Sequence, residues 1–304
     1  MGKTAFVFPG QGAQTVGMGR SLCETSDAAR AVYELCGTEV QKMSFEGPRA
    51  LLNKTVNAQS CLFASGLAVA TALEERGVRA DGAAGFSLGE IPAAAFAGLF
   101  THKEAYDFVL ARADAMDRCL NRNPGAMLAV VGLDADTVDG FKETVNYIYP
   151  ANYNAPGQTV VATREGFQLP LTEAVKAAGG KAIPLKVEGA FHSPLMDNAA
   201  MEIADYLRKR TFGTPRFPLY ANLTARPYDT DERQVRRLLA DQINHPVRWH
   251  AAVDRMIADG FDTFVECGPG KVLAGLIKKI NPNVRVFSVF DAESLAEFLK
   301  AVCI

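Results

Sequence analysis

The sequence predicts an α/β protein in which a large domain, built on a mainly parallel sheet with helices on both faces, is interrupted by a smaller α+β unit. Three observations lead there. The 304 residues exceed the usual size of one domain. Short apolar runs alternate with helical patterns along most of the chain, as a parallel sheet requires. One block, from about residue 125 to 187, instead reads β-α-β-β-α-β, the order of a ferredoxin-like unit.

At the start, Thr4-Ala5-Phe6-Val7-Phe8 is a β-prone run stopped by Pro9, and Gly10-Gln11-Gly12 permits a tight turn with exposed amides. An Ala- and Leu-rich helix over 59–76 ends at Gly77, and a brief run leads to Gly85. That run is weak in strand propensity and is placed as a strand because the motif after it needs one. Residues 88–99 read as a helix bent near Pro92, and 103–120 as a second helix that carries Arg112. In the inserted block, strands are expected at 126–133, 147–153, 158–163 and 181–187, with helices at 134–145 and 165–178. The α/β alternation then resumes. Helices are expected at 193–209, 231–242, 251–258 and 271–280, and strands at 218–222 and 263–266. The predicted division is 1–123 with 194–304 for the large domain and 124–193 for the insertion.

Composition narrows the functional classes. Hydrophobic residues make up 48% and charged residues 22%, which suits a packed globular core. A net charge of -2 argues against a nucleic-acid partner. The apolar stretches 61–73 and 93–100 fall short of the roughly 20 residues that cross a bilayer, and the run before Pro9 is too brief for a secretory signal core. Six scattered cysteines with no CxxC pair suit a reducing cytoplasm and lack zinc-site spacing, so no metal is expected.

Gly85-Phe86-Ser87-Leu88-Gly89 fits GxSxG, a sharp strand-to-helix turn whose glycines allow close packing while the serine hydroxyl projects into a cleft. The amide after the serine then lies at a helix N-terminus, where it can stabilise an oxyanion. A serine needs a base, and the chain offers His102, His192, His245 and His250. Their positions barely rank them, although His192 follows the last strand of the insertion on a loop that can face a cleft.

Four segments together carry a family resemblance: Phe8-Pro9-Gly10-Gln11-Gly12, GFSLGE at 85–90, GAFHS at 189–193 and ECGPGKVL at 266–273. In order, spacing and length the chain resembles the malonyl-CoA:acyl carrier protein transacylase family over essentially its whole extent. The resemblance implies an α/β-hydrolase-like core with a ferredoxin-like insertion. It implies Ser87 as nucleophile, His192 as base, and the backbone amides of Gln11 and Leu88 as the oxyanion hole. Gln242 would orient the histidine through its main-chain carbonyl in place of a triad aspartate. It further implies a ping-pong transfer from malonyl-CoA to the phosphopantetheine thiol of an acyl carrier protein. No cofactor is implied beyond the CoA thioester substrate, and a monomer is expected.

Arg112 resembles the family's arginine that pairs with the free carboxylate of the acyl group; a guanidinium fork fixes both the position and the orientation of such a group. Phe191 and Phe86 are expected at the acyl pocket, with bulk at Phe191 crowding an α-substituent. Phe86 departs from the pattern, since many relatives carry His there. Gly268-Pro269-Gly270-Lys271 lacks the full phosphate-loop spacing, so a structural turn into a helix competes with anion binding there. The basic residues Arg208, Lys209, Arg210, Arg233, Arg236, Arg237, Lys278 and Lys279 are candidates to meet an acidic carrier or to form solvated helix faces.

Overall fold

The run Lys3–Phe8 (β1) is apolar on both faces because it forms the middle of a sheet: Ala5, Phe6, Val7 and Phe8 are all fully buried. The computed structural model describes residues 2–303. The remaining strands are Gly82–Gly85 (β2), Gly125–Val131 (β3), Ile148–Ala155 (β4), Gln158–Arg164 (β5), Lys181–Pro184 (β6), Leu219–Tyr220 (β7), Phe261–Cys267 (β8) and Arg285–Val289 (β9). One sheet has the order β7-β2-β1-β8-β9 with every pair parallel. From β1 the chain steps to one side through β2 and β7 and later to the other through β8 and β9, so the strand order reverses beside β1, where α/β proteins bind ligands beyond the C-terminal ends of the strands.

The second sheet has the order β4-β5-β3-β6 and is antiparallel throughout. With the helices Ala135–Thr144 and Gln168–Ala177 this is the ferredoxin-like arrangement. Alternation along β3 decides its two faces. Leu128 and Val130 pack with Val138, Phe141, Leu171 and Val175 of those helices, while Met127 and Ala129 turn toward the main core. The two layers are tied by main-chain bonds from Tyr153 N–H to the Val247 carbonyl (2.9 Å) and from Val247 N–H to the Ala151 carbonyl (2.8 Å).

Several expectations shift in detail. The strand over 82–85 forms despite its GAAG sequence, because Ala5 to Phe8 of β1 supply its ladder partners. The helix expected over 88–99 begins later, at Glu90, after a 3₁₀ turn Ser87–Gly89. Pro92 therefore falls in its first turn, where its missing N–H leaves no bond unmade. Likewise, Pro194–Met196 is a 3₁₀ turn before the helix Asp197–Leu207. No element was expected for the helices within 20–52, or for β9 and the helix Ala292–Ala301, all of which are present. The helix Thr55–Glu75 is, by length and composition, long and apolar enough to cross a membrane. It is instead packed inside the fold, with 83% of its most apolar window buried.

Candidate active site

The C-terminal ends of β1 and β2 hold the elbow so closely that only glycine fits at its flanks. A Cβ on Gly85 would lie 1.9 Å from the Gly89 main chain, and one on Gly89 would lie 2.0 Å from the Phe8 carbonyl oxygen. Phe86 N–H continues the ladder to the Phe8 carbonyl (2.9 Å), and the chain then reverses at Ser87, whose φ is +52°. His192 is the second residue of the site in the left-handed region, at φ +56°. A non-glycine residue there costs about 1–3 kcal/mol, so both must be held by their surroundings.

They are held against each other. Ser87 Oγ–H donates to His192 Nε2 at 2.7 Å, and His192 Nδ1–H donates to the Gln242 carbonyl at 2.9 Å. The second bond selects the tautomer with a free lone pair on Nε2, which is what a base for Ser87 needs. Burial, and then the charge of Arg112, push the His192 pKa down from 6.5 to about 4, so the ring is neutral at ordinary pH. The other histidines lie elsewhere: His245 is exposed beside Asn244, His250 pairs with Asp254, and His102 opens the helix His102–Arg122.

Arg112 projects from that helix into the site and is only 2% exposed. Its Nη1 donates to Gln59 Oε1 (2.7 Å) and its Nη2 to Gln242 Oε1 (3.1 Å), while Nη2 also lies 3.4 Å from Ser87 Oγ. Nε has no partner, and among the described residues no carboxylate lies within ion-pairing distance of the guanidinium. Burial lowers its pKa only to about 10, so it stays charged near neutrality. A buried cation held by neutral amides is costly, and an incoming carboxylate would relieve that cost.

Gln242 follows the helix Glu232–Asp241 and contributes more than its carbonyl. Besides accepting from Arg112, its side chain donates through Nε2 to the Ser87 carbonyl (2.8 Å) and to Glu90 Oε2 (3.1 Å). Glu90 is itself buried, and desolvation lifts its pKa to about 7 against the opposing bonds from Tyr228, Asn222 and Gln242. The main-chain N–H groups of Gln11, which lines the same cavity as Ser87, and of Leu88, the next residue in the chain, have no acceptor among the described residues. The Gln11 side chain is tethered to Thr55 Oγ1 at 3.2 Å.

A cavity of about 290 Å³ opens onto Ser87, His192 and Arg112, walled by Phe86, Met116, Met127, Val160 and Phe191 among others. Phe86 also meets Trp249 edge to face, with ring centroids 5.6 Å apart. At this position, then, stands an apolar wall rather than a polar neighbour of the serine. The turn at 268–271 is structural, because the following helix N-terminus is already taken: Glu266 accepts from Leu273 N–H (3.1 Å) and Ala274 N–H (2.9 Å). Of the basic candidates, Arg236 is engaged by Glu232 and by the carbonyls of Leu207 and Arg210, and Lys278 by those of Pro282 and Val284.

Gln59, Glu90 and Asn222 were not assigned to the site from sequence. Glu90 had a signal, since it stands inside GFSLGE, and Asn222 is a polar residue at the C-terminal edge of the sheet. Gln59 offered none beyond its place on a helix.

The acyl transferase domain family matches residues 5–289. The chain is 37% identical over 305 residues to the malonyl CoA-acyl carrier protein transacylase of Bacillus subtilis, covering 97% of this chain and 96% of that one. Its fold is similar to that of the malonyl CoA-acyl carrier protein transacylase from Clostridium perfringens, with a TM-score of 0.95, 33% identity and coverage of 99% and 97%. It is also similar, with a TM-score of 0.94, 32% identity and coverage of 98% and 99%, to a chain from a holo complex of a type II PKS acyl-carrier protein with its malonyl-transacylase.

Proposed function

The chain belongs to the malonyl CoA-acyl carrier protein transacylase family, and from that premise we propose that Ser87 carries the malonyl group between its two thiols. The activity that comes with the family is transfer of malonyl from malonyl-CoA to an acyl carrier protein, for fatty-acid or polyketide synthesis. The observation that carries the residue assignment is the convergence on one hydroxyl. Ser87 Oγ has a neutral imidazole at 2.7 Å on one side and a buried guanidinium lacking an ion-pair partner at 3.4 Å on the other.

The steps follow from these positions. Arg112 takes the malonyl carboxylate, which brings the thioester carbonyl, one methylene away, beside Ser87. Oγ attacks as His192 Nε2 accepts its proton, and the Gln11 and Leu88 amides receive the oxyanion. Collapse breaks the carbon–sulfur bond, and CoA leaves as a thiol with the proton held by His192. The phosphopantetheine thiol of the carrier then gives its proton to His192 and attacks the malonyl ester. Collapse of the second tetrahedral intermediate breaks the bond between the acyl carbon and Ser87 Oγ, which takes its proton back from His192 as the malonyl-carrier thioester leaves.

Incubation with malonyl-CoA should add one malonyl group to the intact protein, mapped by peptide mass to Ser87 and discharged by a holo carrier protein. Loss of the group to water at the same rate with or without carrier would mark a hydrolase instead. A pH profile tests the base separately. Since His192 must be neutral to act, kcat/KM for malonyl-CoA should hold level on descending from neutrality and fall as pH drops through about 4. A limb near 6.5 would mean a base without the burial and the Arg112 charge seen here.

A further inference from the structure

We propose that Asn222 is a positioning residue for the nucleophile: its side chain closes the elbow from Gly85 to Ser87, and Glu90 holds Asn222 in register. The inference rests on the reading of Ser87 as the acyl-carrying residue and assigns a separate group to keep it in place.

Asn222 lies just beyond β7, is 2% exposed, and stands next to an elbow 135 residues away in the chain. Its Oδ1 accepts from Ser87 N–H at 2.7 Å, and its Nδ2 donates to the Gly85 carbonyl at 2.5 Å. One planar amide thus spans the turn from the residue that enters it to the residue at its apex. The main chain of Asn222 is also engaged, its N–H donating to Glu90 Oε2 (3.0 Å) and its carbonyl accepting from Arg248 N–H (3.0 Å). These bonds commit Asn222 to the scaffold, so it acts through Ser87 and not on the substrate.

The bond to Ser87 N–H has two consequences for chemistry. It fixes the peptide plane that gives Ser87 its φ of +52° and so aims Oγ at His192 Nε2. It also satisfies the Ser87 amide, leaving the Leu88 amide one residue on as the free donor. On the other side of Ser87, the Gln242 Nε2 bond holds the Ser87 carbonyl. Glu90 Oε2 accepts from both Asn222 N–H and Gln242 Nε2, so a single carboxylate oxygen joins the clamp on the nucleophile to the residue that orients the base. Without Asn222, Ser87 N–H is left unpaired in a partly buried turn and the strained φ can relax, carrying Oγ away from Nε2.

The test compares Asn222→Ala and Asn222→Asp with the wild type. The measurements are single-turnover acylation by malonyl-CoA, followed as intact mass, together with KM and melting temperature. In Asn222→Ala the acylation rate at saturation should fall about 10- to 100-fold while KM for malonyl-CoA stays within about twofold. Asn222→Asp gives a signature that packing alone would not. Protonated, the new carboxyl can still accept from Ser87 N–H and donate to the Gly85 carbonyl; ionised, it repels that carbonyl. Glu90, Tyr228, Arg112 and His192 are the titratable groups around the elbow; the ratio to wild type removes what they contribute there, and an ionised side chain at 222 also opposes ionisation of Glu90, which adds to the loss at high pH. The Asn222→Asp rate, taken as a ratio to wild type, should therefore rise as pH falls. If Asn222→Ala does not fold, the Asp variant decides the matter. A wild-type acylation rate in Asn222→Ala, a loss confined to KM, or a ratio flat with pH overturns the inference while the adduct on Ser87 stands. A wild type that forms no adduct overturns the acyl-enzyme reading and this inference with it.

Discussion

Alanine in place of His192 should slow formation of the malonyl-enzyme by about 10²- to 10⁴-fold, the usual worth of a positioned general base, with malonyl-CoA binding little changed. The split follows from where the ring sits. Nε2 touches only the nucleophile's hydroxyl at 2.7 Å, and Nδ1–H is committed to the Gln242 carbonyl, so the imidazole acts on the proton rather than on the acyl group. The variant leaves in place Arg112, proposed to bind the carboxylate, and the Gln11 and Leu88 amides, proposed to receive the oxyanion. The residual rate should then climb with pH, because hydroxide must do what the imidazole did. Stopped-flow release of CoA across pH reads both effects. A loss below tenfold, or a rate still level near neutrality, would assign the base to another group.

Much of this arrangement could be read along the chain where short-range chemistry dictates it. The four residues of β1 before Pro9 are apolar without alternation, as a strand buried on both faces must be, and the glycines at 85 and 89 are required by contacts under 2.1 Å. The β-α-β-β-α-β order of the insertion was legible from short β-prone runs set between helical patterns, and its two central strands, β3 and β5, alternate between their own helices and the main core. What stayed hidden is made across long separations. Arg112 meets Gln59 and Gln242 at 53 and 130 residues' distance, and Asn222 reaches the elbow over 135. No local pattern records such pairs. Position alone did not choose among the four histidines; the family resemblance did, and the fold brings only His192 to Ser87. The helices within 20–52 are short, and the two that open on Gly19 and Gly37 have no side-chain cap to mark them.

Arg112→Ala separates substrate choice from chemistry. The guanidinium is buried, charged, and joined only to neutral acceptors, and on the proposed reading the malonyl carboxylate supplies its counter-charge. Removing it leaves that carboxylate without a partner in a largely apolar cavity, at a cost of about 3–5 kcal/mol, or a factor of about 10²–10³ or more in kcat/KM. Acetyl-CoA has no carboxylate to lose, so its transfer should change far less, and the malonyl-to-acetyl ratio should collapse by nearly the whole factor. The same substitution acts on the base. Arg112 is the second cause, after burial, of the depressed His192 pKa, so the acid limb should move up from about 4 toward 6.5, although burial alone keeps it below that value. Lysine should not restore the ratio, because a single ammonium cannot meet Gln59, Gln242 and a carboxylate in one plane as the guanidinium fork does. Parallel assays of malonyl and acetyl transfer in the Ala and Lys variants decide the matter. Equal losses on both donors would mean that Arg112 holds the site together without reading the substrate.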